Sequence, residues 1–200
     1  MKQQILFING GNTFDSKKDY LTWLKNMKMN IEKTKAKLSW RDTLHKKLGS
    51  QFEVYKPMMP NSINASYTDW AIWFSKIIEQ LNENLILIGH SLGGIFLAKY
   101  LAENDINKKI KATILISAPF DGSGGESLGN FVLPKSLKKI EQQAGKIYLI
   151  QSKDDKVVPF NQVKKYKKEL PKAILKIFKD RGHFSQETFP EIVELIKKLK

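Results

Sequence analysis

Apolar residues occur along this chain in short continuous runs bounded by polar and turn-forming residues. Residues 4–8 form such a run, which ends at Asn9, Gly10 and Gly11, and residues 85–88 form the most apolar run of the chain. Runs of this length between turn residues are typical of buried β-strands. The same pattern predicts strands at residues 52–55, 110–116, 147–151 and 173–178.

Between the strands, apolar residues recur every three or four positions, as they do on the buried face of an α-helix. The clearest helical pattern runs from Tyr67 to Leu81 and has Asp69 near its positive end. Helices are also predicted at residues 92–103, 159–170 and 187–199, and at about 16–28 and 38–48. Residues 118–135 are rich in glycine and proline and are predicted to form a long loop.

Strands that alternate with helices predict a mostly parallel sheet covered on both faces, which is a three-layer α/β/α sandwich. A single hydrophobic core can serve a chain of this length, so we expect residues 1–200 to form one domain. In open sheets of this kind, reactive groups lie in the loops that follow the carboxyl ends of the strands. Those loops are therefore where candidate site residues are expected.

The composition excludes several classes of protein. Cysteine is absent, which excludes a disulfide framework, a thiolate metal site and a cysteine nucleophile. The zinc pattern H-E-x-x-H, calcium loops and phosphate-binding glycine motifs are also missing, so we expect neither a metal nor another cofactor. No run reaches the ~18 apolar residues of a membrane span, and the N-terminal run is too short for a secretory signal. We therefore expect a cytoplasmic protein without a membrane span.

Basic residues outnumber acidic ones by 34 to 20, which gives a net charge of +14. All but Arg41 and Arg181 are lysine, and the lysines are spread along the chain. Proteins that read nucleic acid specifically rely strongly on arginine, so we interpret the lysines as a solvated coat and expect no specific nucleic-acid partner. The alternative is a lysine-rich surface that binds nucleic acid, anionic lipid or an acidic protein.

The strongest chemical signal is the sequence Gly89-His90-Ser91-Leu92-Gly93, between the most apolar strand and a predicted helix. In this context the Gly-x-Ser-x-Gly pattern is typical of a nucleophile elbow, a tight turn that holds a reactive serine at a helix N-terminus. Glycine at both ends avoids side chains that would collide with neighbouring backbone. Ser91 is therefore predicted to be a nucleophile, and the N–H of Leu92 is predicted to stabilise the oxyanion.

A nucleophilic serine needs a base, and the chain has three histidines. His45 lies in a lysine-rich helical stretch and is predicted to be at the surface. The side chain of His90, inside the elbow, is predicted to point away from Ser91. His183 follows the last predicted strand, which places it at the carboxyl edge of the sheet. His183 is therefore the predicted base.

The acid that orients His183 is expected after another strand. Asp154 and Asp155 both follow one predicted strand, and Asp121 follows a different one. The order Ser91, Asp155, His183 matches the Ser…Asp…His order that accompanies a nucleophile elbow. Asp155 is therefore the predicted acid, with Asp121 and Asp154 as alternatives.

The loop after the first strand is expected to supply the second oxyanion donor, because its glycines allow a substrate to approach the backbone closely. By position, the N–H of Gly11 is the candidate, with Gly10 as the alternative. The substrate pocket is predicted to lie on the elbow under a roof formed by residues 118–135. Its predicted lining residues are Asn9, Gly10, His90, Phe120 and Phe131.

These segments resemble the α/β-hydrolase superfamily and, within it, the small serine hydrolases of the retinoblastoma-binding-protein-9/YdeN type. Beyond the elbow, the resemblance extends over residues 7–11, 57–73, 117–120, 155–159 and 182–184. It implies a minimal α/β-hydrolase fold without a large cap domain, and esterase-like activity with Ser91 as nucleophile, His183 as base and Asp155 as orienting acid. Many relatives have histidine where this chain has Asn9, a change that leaves the Gly11 donor in place.

The residues thus predict a serine hydrolase that cleaves an ester, thioester or amide bond through an acyl-enzyme. We expect a small-molecule acyl substrate and a monomer or homodimer. Acyl transfer to an acceptor other than water would use the same residues. The alternative function is a non-catalytic binding protein that uses its lysine-rich surface on a hydrolase scaffold.

Overall fold

The computed structural model describes residues 2–35, 37–125 and 127–199. Its strands are β1 (Gln3–Ile8), β2 (Phe52–Tyr55), β3 (Leu85–His90), β4 (Ile110–Ile116), β5 (Lys146–Ser152) and β6 (Ile174–Phe178). Its α-helices are α1 (Lys17–Asn26), α2 (Trp40–Leu48), α3 (Tyr67–Glu79), α4 (Leu92–Glu103), α5 (Lys138–Gln143), α6 (Asn161–Glu169) and α7 (Pro190–Lys197). Short 3₁₀ helices occur at Ile31–Thr34, Gly122–Gly124 and Gly129–Phe131.

Within the described residues, the strands form a six-stranded parallel sheet with the order β2-β1-β3-β4-β5-β6. Each predicted strand is confirmed to within two residues at either end. Strand β3 lies between β1 and β4, with Gly89 opposite both Ile8 and Leu115. The loops that follow these three strands therefore leave the same edge of the sheet.

Helices cover both faces of the sheet, and β1 shows how the sequence divides its residues between them. Successive strand residues point to opposite faces. Ile5 and Phe7 pack in the apolar layer that contains α2 and α7, whereas Leu6 and Ile8 pack in the layer that contains α3 and α4. The predicted α/β/α sandwich is confirmed, and the described residues contain no large cap domain.

The structure differs from the predicted elements mainly between β4 and β5. Helix α5, which is six residues long, was not predicted, and the segment predicted as a loop contains the 3₁₀ helices at Gly122–Gly124 and Gly129–Phe131. Helix α7 starts later than predicted because Pro190 occupies its first turn. Among the helices described, none is long and apolar enough to cross a membrane.

Candidate active site

Ser91 occupies a strained turn between β3 and α4. Its backbone has φ +55° and ψ −125°, a conformation that residues with side chains rarely adopt. The turn is held by the N–H of Ser91, which donates to the carbonyl of Ile116 at 2.9 Å, and by the carbonyl of Ser91, which accepts from the N–H of Gly94 at 2.8 Å. This is the predicted elbow, and it presents Ser91 at the N-terminus of α4.

Glycine is required on both sides of Ser91 because the backbone packs closely there. A Cβ atom on Gly89 would lie 2.4 Å from the carbonyl oxygen of Gly93. A Cβ atom on Gly93 would lie 2.3 Å from the carbonyl oxygen of Ile8. The elbow therefore closes directly against the end of β1, which brings the β1 loop beside Ser91.

His183 forms a hydrogen-bonded pair with Asp155. The Nδ1 atom of His183 lies 3.0 Å from Oδ2 and 3.2 Å from Oδ1 of Asp155. Asp155 follows β5 and His183 follows β6. Because these strands are parallel neighbours, both residues lie at the same edge of the sheet. An aspartate at Nδ1 orients the imidazole so that Nε2 faces away from the carboxylate.

The Asp155 side chain is fully buried, and its oxygens are well supplied with donors. Oδ1 accepts from the backbone N–H groups of Val157 and Val158, at 2.9 and 3.0 Å, and Oδ2 accepts from Nε2 of Gln151 at 3.1 Å. Burial by itself raises the pKa of Asp155, but the hydrogen bond and charge of His183 and the Val158 N–H outweigh it and lower the pKa below its usual value. Asp155 is therefore an ionised acceptor at neutral pH.

The two alternative acids are placed elsewhere. Asp154 lies in the loop after β5 and accepts from the N–H of Gly182 at 2.9 Å, so it holds the turn that precedes His183. Asp121 pairs with Lys165 at 2.6 Å and accepts from Nε2 of Gln162 at 3.1 Å. Within the described residues, Asp155 is thus the carboxylate that contacts His183.

Ser91 and His183 line one cavity, which holds about 670 Å³. No hydrogen bond joins Ser91 Oγ to His183 Nε2 among the described residues. In unliganded enzymes this contact is often long and shortens when substrate binds. Other residues of this larger cavity include the predicted Asn9, Gly10, Gly11 and His90, together with Asn12, Lys37, Leu38, Ser39, Arg41, Asp42, Ser62, Ile63, Val157 and Ser185.

A smaller cavity, of about 280 Å³, also borders Ser91. Its lining combines Leu92 and Gly11 with a mixture of apolar, small and neutral polar residues: Asn12, Thr13, Phe14, Trp23, Pro119, Gly125, Ser127 and Leu128. The backbones of Leu92 and Gly11, the predicted oxyanion donors, therefore border this cavity beside the serine. Gly10 packs directly against Ser91, since a Cβ atom on Gly10 would lie 2.9 Å from Cβ of Ser91.

His90 is buried beneath the site and bridges two segments of the chain. Its Nε2 atom lies 2.9 Å from the backbone carbonyl oxygen of His183, and its Nδ1 atom lies 3.3 Å from Nη1 of Arg41. A carbonyl only accepts and a guanidinium only donates, so His90 is neutral with its proton on Nε2. Burial, followed by the charges of His183 and Arg41, lowers the pKa of His90 to about 3. His90 therefore stays uncharged while it anchors the His183 loop.

Residues of the 118–135 segment border the smaller cavity, but the prediction that Phe120 and Phe131 line the pocket is wrong. Phe131 is fully buried in the core, with its ring 5.3 Å from that of Trp70, and lines neither cavity beside Ser91. Phe120 also lies away from both cavities and packs edge-on against Tyr166 at 5.0 Å. Long-range packing with α3 and α6 draws these rings inward. The residues of the 118–135 segment that line the smaller cavity are Pro119, Gly125, Ser127 and Leu128.

Sequence reasoning missed the contribution of the segment that leads into α2 and of the first turn of α2. Lys37, Ser39 and Arg41 all line the larger cavity, although their stretch of sequence carries no recognisable motif. A signal was present in the composition, because Arg41 is one of two arginines among 34 basic residues. An arginine among so many lysines indicates a position where the planar guanidinium matters.

A family model described as serine hydrolase matches residues 30–198, a range that contains the elbow, the Asp155–His183 pair and Arg41. The chain belongs to the serine hydrolase family. It is 29% identical to serine hydrolase RBBP9 of Rattus norvegicus over 151 residues, which cover 74% of this chain and 78% of the relative. It is 27% identical to YdeN of Bacillus subtilis strain 168 over 157 residues, which cover 74% of this chain and 79% of the relative.

The solved structure of the ydeN gene product from B. subtilis superimposes with a TM-score of 0.79 at 22% identity, and the match covers 99% of this chain and 98% of that one. This similarity confirms the predicted small α/β-hydrolase fold, and the family identifies hydrolysis as the class of reaction.

Proposed function

We propose that this serine hydrolase cleaves carboxylic esters, or related thioesters and amides, with Ser91, His183 and Asp155 as its catalytic triad. The observation that carries the proposal is the Asp155–His183 pair, at 3.0 Å, in the same cavity as a serine on a strained elbow. A turn with φ +55° costs free energy, and such strain is typical of functional positions.

In the proposed reaction, Ser91 Oγ attacks the substrate carbonyl carbon while His183 Nε2 takes the serine proton. Ionised Asp155 stabilises the imidazolium that forms. The negative charge on the carbonyl oxygen is stabilised by the backbone N–H groups of Leu92 and Gly11. When the carbon–oxygen bond of the ester breaks, the proton on His183 passes to the leaving alcohol and the acyl group stays on Ser91.

Water then completes the cycle. His183 removes a proton from the water molecule as it attacks the acyl-enzyme, and the proton returns to Ser91 Oγ when the carboxylic acid is released. An alcohol or amine in place of water would give acyl transfer from the same intermediate. The residues favour neither acceptor, so product analysis distinguishes them.

The proposal is tested with p-nitrophenyl esters of increasing acyl length. We expect the wild-type protein to hydrolyse short esters, with an initial burst of p-nitrophenol if the acyl-enzyme accumulates. Ser91→Ala should abolish hydrolysis while leaving the folded protein intact by circular dichroism. Equal rates for the wild-type and Ser91→Ala proteins would contradict the proposal and would favour a binding function for the lysine-rich surface.

A further inference from the structure

The two cavities that meet at Ser91 have different chemical linings. The larger cavity presents two cationic side chains, Lys37 and Arg41, and one carboxylate, Asp42, among serine and asparagine side chains. The lining described for the smaller cavity is uncharged and combines the apolar residues Phe14, Trp23, Leu92, Pro119 and Leu128 with the neutral polar residues Asn12, Thr13 and Ser127. A substrate whose carbonyl lies at Ser91 would therefore place one arm among charged and polar groups and the other arm among uncharged groups that include two aromatic rings.

The proposed triad assigns each arm to a part of the substrate. His183 lines the larger cavity and not the smaller one. Because His183 must protonate the leaving oxygen, the leaving group belongs in the larger cavity. The acyl group then belongs in the smaller cavity, beside the N–H of Leu92. This assignment rests on the proposed function.

Arg41 is the cation best suited to bind part of the leaving group. Its guanidinium is partly buried, and burial lowers its pKa, yet arginine remains charged at neutral pH. Within residues 2–35, 37–125 and 127–199, no carboxylate forms an ion pair with Arg41. The adjacent Asp42 is instead engaged by Lys56, at 2.5 Å. Among the described residues, Arg41 is therefore a partly desolvated cation without an ion-pair partner.

The remaining contacts of Arg41 leave part of its guanidinium available. Its Nε lies 3.4 Å from Oγ of Ser39, and its Nη1 lies 3.3 Å from Nδ1 of His90. Arginine has five N–H donors in a fixed plane, so further donors remain for a ligand in the cavity. That geometry suits the oxygens of a carboxylate or phosphate group, which can accept two parallel hydrogen bonds.

We propose that the natural substrate is an ester whose leaving group carries a carboxylate or phosphate, which binds Arg41 with the exposed Lys37 beside it, while a short apolar acyl chain occupies the smaller cavity. A cavity of about 670 Å³ accommodates a small polar alcohol of this kind. The smaller cavity, at about 280 Å³, restricts the length of the acyl chain.

Three butyryl esters test the proposal, because they share the acyl group and differ in the alcohol. Two of the alcohols are anionic, glycolate and 2-hydroxyethyl phosphate. The third, glycolamide, is the uncharged analogue of glycolate. We expect the wild-type protein to have a kcat/KM at least about tenfold higher for an anionic ester than for the glycolamide ester. The measurement is made at about 150 mM salt, which screens distant lysines. The glycolate and phosphate esters identify which anion is preferred.

The quantity compared is kcat/KM for the anionic ester divided by kcat/KM for the glycolamide ester. Arg41→Gln should lower this ratio to near one. This variant also loses the contact with His90, but such a loss lowers both rates and cancels in the ratio. Lys146→Gln is the matched control, because Lys146 is exposed at the amino end of β5, at the opposite edge of the sheet. It should keep the wild-type ratio. A wild-type ratio near one, or an Arg41→Gln ratio equal to that of the wild type, would overturn the proposal.

Binding to the Ser91→Ala protein separates this inference from the proposed function. Calorimetry should show that this variant binds the preferred anionic ester more tightly than the glycolamide ester, and that adding Arg41→Gln removes the difference. If wild-type protein hydrolyses neither ester but the difference in binding persists, the proposed catalysis fails and the anion site stands. If both esters are hydrolysed but bind equally, the catalysis stands and the anion site fails.

Discussion

At the scale of single residues, the proposed triad depends on the Asp155–His183 contact, which would hold the imidazole in the tautomer that presents Nε2 to Ser91. Replacing Asp155 by asparagine keeps the size of the side chain but permits the wrong tautomer of His183. By analogy with other serine hydrolases, we expect kcat to fall by about 10³- to 10⁴-fold while the fold is retained. Asp121→Asn is the control, since Asp121 contacts Lys165 and Gln162 and should affect kcat little. Comparable losses in both variants would refute the role of Asp155.

His90 makes stability depend on pH. The unfolded chain protonates this histidine below about its ordinary pKa of 6.5, whereas the folded chain resists protonation until about pH 3. Between these values the unfolded state binds more protons, so the free energy of unfolding falls as the pH falls. From pH 7 to pH 5 the loss from His90 amounts to up to about 2 kcal/mol. The aspartates contribute little in this window, because their ordinary pKa is lower.

His90→Gln tests this dependence, because glutamine keeps a donor for the His183 carbonyl but does not titrate. Urea unfolding at pH 7 and pH 5 should show a smaller loss of stability in the variant than in the wild-type protein. His45→Gln, which replaces an exposed histidine, is the control and should behave like the wild type. An unchanged pH dependence in His90→Gln would show that this histidine is not held neutral by the fold.

At the scale of elements, the elbow depends on contact between α4 and the end of β1. A methyl group on Gly93 would lie 2.3 Å from the Ile8 carbonyl and 2.6 Å from that of Asn9, and backbone atoms cannot move aside as a flexible side chain can. We expect Gly93→Ala to lower the free energy of unfolding by about 2 kcal/mol or more and to reduce hydrolysis. Gly122→Ala is the matched control, because no atom lies within 4 Å of a Cβ there. Equal urea midpoints for the two variants would contradict this account.

Features of the fold that depend on local sequence patterns could be predicted, whereas features that depend on packing between distant elements could not. The strands and the elbow follow from short local patterns, and Asp155 and His183 were found because parallel strands bring their loops to one edge. The lining of the cavities depends on packing between distant segments. No local pattern indicates that Phe131 contacts Trp70 and Phe96, or that Arg41 reaches the elbow. Helix α5 is short, with one fully buried residue, so its periodicity is too weak to recognise.

At the scale of the whole molecule, the net charge of +14 determines how strongly the protein associates with anionic molecules such as nucleic acids. A dispersed lysine coat should bind nucleic acid weakly. That affinity should fall as salt is added, because the release of counterions from the nucleic acid becomes less favourable at higher salt concentration. Filter binding to duplex DNA and to RNA should therefore detect association at low salt and almost none at about 150 mM salt. Retention of a Kd on the order of 10⁻⁸ M at that salt would show a specific nucleic-acid site.

The central claim, that the fold activates Ser91 as a nucleophile, is tested most directly by covalent labelling with a fluorophosphonate probe read by intact mass. The native wild-type protein should gain the mass of one adduct. Ser91→Ala and heat-denatured wild-type protein should gain none, because the first lacks the nucleophile and the second lacks the folded Asp155–His183 pair. An unlabelled wild-type protein that is shown to be folded, or equal labelling of Ser91→Ala, would contradict the claim.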